Sequence, residues 1–144
     1  MKIFFDTSVL VAVAVAHHPH HVSAFAVFRQ ASNGRKTGVV TAHALAETYS
    51  TLTRLPLNPM IHPTEALRFI KDSVLGHCEV VSLHERDYVA LLASAASAGI
   101  RGGAFYDTLQ LHGAEKAGCD RIYTFNVNDF VRLAPQLQAR IVRP

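Results

Sequence analysis

The chain has 144 residues, 49% of them hydrophobic and 17% charged, and its 14 Lys and Arg outnumber its 11 Asp and Glu to give a net charge of +3. A chain of this length buries about 68 to 70% of its extended surface, so one sizeable core and a single domain over residues 1–144 are expected. The basic residues are scattered, which fits a polyanionic partner but excludes a histone-like binder, and no stretch reaches the ~20 apolar residues of a membrane-spanning helix.

Lys2 to Phe5 reads as a buried strand, and Asp6-Thr7-Ser8 then opens a helix through Val9 to Ala16. Met1-Lys2 and the small residues Ala14 to Ala16 mimic a secretory signal, but the apolar run is short and Asp6-Thr7-Ser8 interrupts it. Cys78 and Cys119 show no metal-ligand spacing and read as free, partly buried thiols, so a cytoplasmic protein is expected. His17-His18-Pro19-His20-His21 breaks the first helix. A second helix follows from Val22 to Ala31, stopped by Asn33-Gly34. Gly38 to Thr41 is a short strand, and Ala42, Leu45, Ala46, Tyr49 and Leu52 recur with helical spacing up to Pro56. Leu57 to Pro63 is a loop.

Pro63-Thr64-Glu65 starts a helix that runs to about Leu75. Glu79 to Ser82 is a strand, His84 to Ala98 a helix ended by Gly99, and Phe105 to Ala117 a helix after Gly102-Gly103. Arg121 to Thr124 and Arg140 to Val142 complete a set of about five strands. Strands alternating with helices imply right-handed crossovers and a parallel sheet covered on both faces, an α/β fold. No internal repeat, linker or low-complexity tract is present.

Four polar residues stand at or near the ends of apolar stretches: Asp6, Glu47, Asp107 and Asn126. In an open parallel sheet those ends meet at the carboxyl edge, where ligands bind. Two carboxylates about 4 Å apart repel by roughly 4 kcal/mol at an effective dielectric near 20, so three together call for a cation or for protons. Hard oxygen ligands suit Mg²⁺ or Mn²⁺. Each residue also has a structural alternative: Asp6, Thr7 or Ser8 can cap a helix, Asp107 can favour a helix start, and Asn126 can begin a turn. Glu47 fits these less well, because it lies mid-helix beside the apolar stripe, one turn after His43. The histidine run suggests zinc or copper, yet Pro19 breaks the regular spacing and no acid or Cys is near it, so a solvated loop is favoured. Phe105, Tyr106, Tyr123 and Phe130 read as core aromatics in preference to base-stacking ones.

Phe5-Asp6-Thr7-Ser8, Ala46-Glu47-Thr48, Phe105-Tyr106-Asp107-Thr108-Leu109-Gln110 and Thr124-Phe125-Asn126-Val127-Asn128-Asp129-Phe130, in that order, resemble the motifs of PIN-domain ribonucleases, specifically the VapC-type toxins of bacterial type II toxin-antitoxin modules. The resemblance spans essentially the whole chain. It implies a three-layer α/β/α PIN-like domain and a Mg²⁺-dependent endoribonuclease, with Mn²⁺ able to substitute, that cuts structured RNA such as tRNA or rRNA and so inhibits translation. Carried over by position, Asp6, Glu47 and Asp107 are the metal ligands. Asn126 is a fourth catalytic position, often Asp in the family, where contact with the metal is through water. Thr7 and Thr124 support the acids by hydrogen bonding, and Asp129 braces its loop. The resemblance also implies a homodimer and a cognate VapB-type antitoxin that places a peptide near the acids and alone contacts promoter DNA. The alternatives are a non-catalytic RNA-binding or interaction domain with a degenerate site, suggested by Asn126, and a DNA-directed flap nuclease, for which no junction-holding insertion is evident.

Overall fold

A computed structural model describes residues 1–144. Its strands are β1 (Lys2–Phe5), β2 (Thr37–Thr41), β3 (Cys78–Val81), β4 (Arg121–Tyr123) and β5 (Ile141–Val142). All pair in parallel, in the order β3-β2-β1-β4-β5. The chain builds outward from β1 through β2 to β3, then returns to the other side of β1 for β4 and β5. This reversal beside β1 opens a crevice at the carboxyl edge of the sheet.

The hydrophobic run of β1 is what a strand buried on both faces requires. Its side chains alternate. Ile3 and Phe5 enter one core cluster with Val9, Leu10, Phe28, Val40 and Val74. Phe4 enters the opposite cluster with Val39, Leu111, Ile122, Phe130, Leu137 and Ile141. Each of these large side chains is worth about 1.5 to 3 kcal/mol on full burial. The first cluster is covered by α1 (Thr7–Ala14) and α2 (His21–Ser32), with α3 (Ala42–Arg54) leaning on its edge through Ala44. The second is covered by α7 (Ala104–Lys116), α8 (Val127–Leu133) and the 3₁₀ turn Pro135–Arg140. The three-layer α/β/α expectation is therefore met.

Between the layers, α7 approaches β2 closely at Gly113, where a Cβ atom would collide with Thr41 Cγ2. The helix that starts at Pro63 comprises α4 (Pro63–Arg68), a π-helical stretch over Phe69–Val74 and a final turn α5 (Leu75–His77). Pro63 occupies the first turn, where its missing N–H leaves nothing unsatisfied. α6 (Glu85–Ala98) ends at Gly99, whose φ of +69° is the left-handed stop that glycine adopts without penalty.

Two local expectations are corrected. Residues after Asn126 form a helix and a 3₁₀ turn, whereas the sequence reading offered only a turn there. Tyr106 is 51% exposed instead of buried, because it lies on the first turn of α7 with its ring against His43 on α3. Both cysteines are free, Cys119 buried and Cys78 partly so. No helix is long and apolar enough to cross a membrane.

Candidate active site

The carboxyl edge beside β1 holds a cavity of about 480 Å³, and Asp6, Glu47, Asp107 and Asn126 all line it. Each arrives on a different element. Asp6 follows β1 and caps α1, Glu47 is midway along α3, Asp107 is in the first turn of α7, and Asn126 precedes α8.

Asp6 is the most constrained. Only 3% exposed, it accepts on Oδ2 from Ser8 N (3.4 Å), Ser8 Oγ (2.7 Å) and Thr124 Oγ1 (2.9 Å). Oδ1 receives no protein donor. The two hydroxyls are themselves oriented, since Ser8 Oγ accepts from Phe125 N at 3.1 Å and Thr124 Oγ1 accepts from Asn126 N at 3.0 Å. Each hydroxyl has a single hydrogen, so a backbone N–H donating to its oxygen turns that hydrogen toward Asp6. The loop after β4 thereby fixes one carboxylate oxygen and leaves the other to the cavity.

Electrostatics in the cavity are unfavourable to its own charges. Burial pushes the Asp6 pKa up, the Ser8 and Thr124 hydrogen bonds pull it back, and the Glu47 charge raises it again. Asp107 is pushed up to about 6, first by burial and then by the charges of Asp6, Glu47 and Asp129. Perturbation of this origin in a cleft is characteristic of functional carboxylates. Asp129 itself is exposed outside the cavity and pairs with Arg132 at 3.4 Å. Glu47 Oε2 lies 2.8 Å from His43 Nε2, the i, i+4 partner.

Thr7 lines the cavity but makes no side-chain hydrogen bond to the acids, contrary to the supporting role expected for it. It accepts from Gln110 Nε2 at 3.0 Å, and Gln110 Oε1 accepts from Thr41 Oγ1 at 2.6 Å. Thr41 Oγ1 in turn caps α3 by accepting from Ala44 N at 3.0 Å. This buried chain ties α1, α7 and α3 together, the three helices that present Asp6, Asp107 and Glu47. Ser8, Thr41 and Gln110 were absent from the sequence-derived site. The Asp-x-Ser spacing of Asp6 and Ser8 was a usable signal, whereas the Gln110 partners lie 69 and 103 residues away and leave no local one. The histidine segment is the partly exposed loop expected, and it also has a place in the site: His18, Pro19 and His20 form one wall of the cavity and His20 stacks on Phe125 with centroids 4.7 Å apart.

No three His, Cys, Asp or Glu side chains stand close enough to enclose an ion by themselves. Mg²⁺ does not require that, because it keeps several waters and takes one or two carboxylates plus substrate phosphate. A buried carboxylate with one oxygen saturated and the other facing a cavity shared with two more acids fits such an ion. Asp6, Asp107 and Glu47 are the lining carboxylates that could hold it, with Glu47 Oε2 already engaged by His43.

The fold and this acidic edge define a class. A match to the PIN domain covers residues 3–135, and the chain belongs to the PIN-domain family. Its sequence is 34% identical to ribonuclease VapC27 of Mycobacterium tuberculosis over 104 residues, 72% of this chain and 70% of that protein. It is 34% identical to ribonuclease VapC40 of the same organism over 113 residues, 78% of each chain. Within the family it therefore stands with the VapC-type members. Among solved structures, M. tuberculosis VapC20, a toxin that cleaves the sarcin-ricin loop, superposes with a TM-score of 0.70 at 18% identity over 90% of this chain and 94% of that one. VapBC2 from Rickettsia felis, bound to a DNA fragment of its promoter, gives 0.68 at 16% identity over 99% and 98%.

Proposed function

We propose that the protein is a Mg²⁺-dependent endoribonuclease and the toxin of a type II toxin-antitoxin pair, acting in the cytoplasm on structured RNA such as tRNA or rRNA. The observation behind this reading is the half-saturated Asp6 carboxylate facing a cavity with Asp107 and Glu47, in a chain 34% identical to ribonucleases of the VapC type. Asp6 and Asp107, with Glu47, would hold the ion, and Mn²⁺ would serve in place of Mg²⁺. When bound, the ion supplies Lewis acidity at phosphorus and an activated water for in-line attack. The chain's own residues do the rest. Ser8 and Thr124 keep Asp6 in place, the Thr7–Gln110–Thr41 chain sets the spacing of the three helices, and Asn126 offers a neutral amide suited to phosphate or water. Asp129 contributes charge from outside the cavity and steadies the first turn of α8 through Arg132. No protein nucleophile is required.

The net charge of +3 favours an anionic substrate, while choice of sequence comes from how an unpaired RNA loop fits the surrounding groove. VapC20 is a toxin that cleaves the sarcin-ricin loop, and VapBC2 is bound to a DNA fragment from its promoter. By analogy, this chain pairs as a homodimer with a VapB-type antitoxin, which carries the DNA contact and covers the acidic edge.

The wide set of the acids is what favours a binding-only alternative. Titrating Mn²⁺ into the wild type and Asp6→Asn, followed by electron paramagnetic resonance, separates the two. Saturable binding that weakens in the variant supports the nuclease, and no saturable binding in the wild type supports the alternative. Cleavage of an RNA hairpin but not its DNA counterpart supports RNA as the substrate.

A further inference from the structure

A second groove, of about 420 Å³, continues from the acidic cavity on the far side of Glu47, and the two share Glu47 and Thr51 as lining residues. Its floor is α3, with Ser50, Thr51 and Arg54, and its wall is Tyr106 at the start of α7. Tyr106 stacks on His43 with ring centroids 4.9 Å apart and planes 10° from parallel. Its ring is thus held in one orientation while half of the residue remains exposed. Arg54 is exposed and pairs with none of the chain's carboxylates.

We propose that this groove is the subsite for a nucleotide next to the scissile phosphate, with its base stacked on Tyr106 and its phosphate held by Arg54. The inference rests on the ribonuclease reading and adds to it where the RNA runs. A strand whose scissile phosphate lies among the acids continues into a neighbouring groove, and this one adjoins them through Glu47. An aromatic ring held in place by its stack on His43, the Ser50 and Thr51 hydroxyls and a free guanidinium match a base, a ribose and a phosphate. A docking peptide would instead need apolar pockets, and the only apolar linings are Ala46 and Tyr106. Stacking tolerates any base, so the subsite contributes affinity and register, not sequence choice.

The chain has no tryptophan, so Tyr106→Trp places a single reporter on the platform. In EDTA, a short single-stranded oligoadenylate is expected to quench the fluorescence of Tyr106→Trp, and an abasic oligomer of equal length is not. Tyr88→Trp, at an exposed site on α6 outside the groove, should stay unquenched. In the same buffer, fluorescence anisotropy of a labelled oligoadenylate should show binding about 10-fold weaker for Tyr106→Leu and nearly unchanged for Tyr106→Phe. Binding without quenching, and equal for Tyr106→Leu and wild type, overturns the subsite while metal-dependent RNA cleavage by the wild type keeps the nuclease reading. Quenching by an Arg-rich peptide and not by oligoadenylate assigns the groove to a protein partner and also overturns it. Neither binding nor cleavage by the wild type removes both.

Discussion

Replacing Asp107 by Asn should make the metal-free protein more stable while abolishing its function. The Asp107 pKa rises from 3.8 to about 6 because burial and the charges of Asp6, Glu47 and Asp129 oppose ionisation. A folded-state pKa above the unfolded one favours the protonated fold, so the associated stability is complete below about pH 4 and is lost as pH rises through about 6. The full shift corresponds to about 3 kcal/mol at neutral pH. Because Asp107 keeps one side open to the cavity, about 2 kcal/mol is the better expectation. For a domain of this size that is a rise of roughly 4 to 8 °C in Tm. The assay is thermal unfolding of wild type and Asp107→Asn in EDTA at about pH 8 and about pH 4, where the variant should gain only at the higher value. Adding Mg²⁺ at about 100 times its Kd should stabilise the wild type by about 2.7 kcal/mol and close the gap. A variant that is less stable at both pH values, or a gain independent of pH, would refute the electrostatic reasoning.

Thr124→Val removes a donor to Asp6 Oδ2 and the acceptor for Asn126 N, so Mn²⁺ affinity should fall about 10- to 100-fold with the fold intact, as read by Mn²⁺ titration and circular dichroism. Gln110→Leu leaves the Thr41 hydroxyl without its acceptor in a buried setting, and denaturant unfolding should show a loss of about 1 to 3 kcal/mol. Ser8→Ala removes the 2.7 Å hydrogen bond to Asp6 and should raise the Asp6 pKa further, which NMR titration of its side-chain carboxyl would detect as a shift in the upward direction.

The sheet was legible because strands buried on both faces announce themselves as short apolar runs such as Ile3-Phe4-Phe5, and because turn and cap residues mark their ends. Asp6 and Asn126 were legible for a related reason: polar residues just past β1 and β4 fall on one edge once the strands are parallel. Glu47 and Asp107 sit on α3 and α7, reach that edge only through helix packing, and were legible through their motifs. What remained hidden is non-local or short. α8 spans only seven residues, and Asn126 to Asp129 satisfies turn chemistry equally well until Phe130 is seen packed on β4. The π-helical stretch over Phe69–Val74 has no sequence signature distinct from an ordinary helix. Tyr106 looked like core because an aromatic beside a buried helix face usually is, and only the approach of α3 shows that it packs on His43 and faces solvent. Gln110 carries no signal of its own in the sequence, since a buried amide acquires meaning only from partners on other elements.

The central claim is that Asp6 and Asp107 serve metal-dependent RNA hydrolysis. It is tested most directly by incubating total bacterial RNA with the wild type, Asp6→Asn and Asp107→Asn, with Mg²⁺ and with EDTA. The account predicts discrete cuts by the wild type in Mg²⁺ alone and none by either variant. Equal cleavage by all three proteins, or cleavage that persists in EDTA, would contradict it.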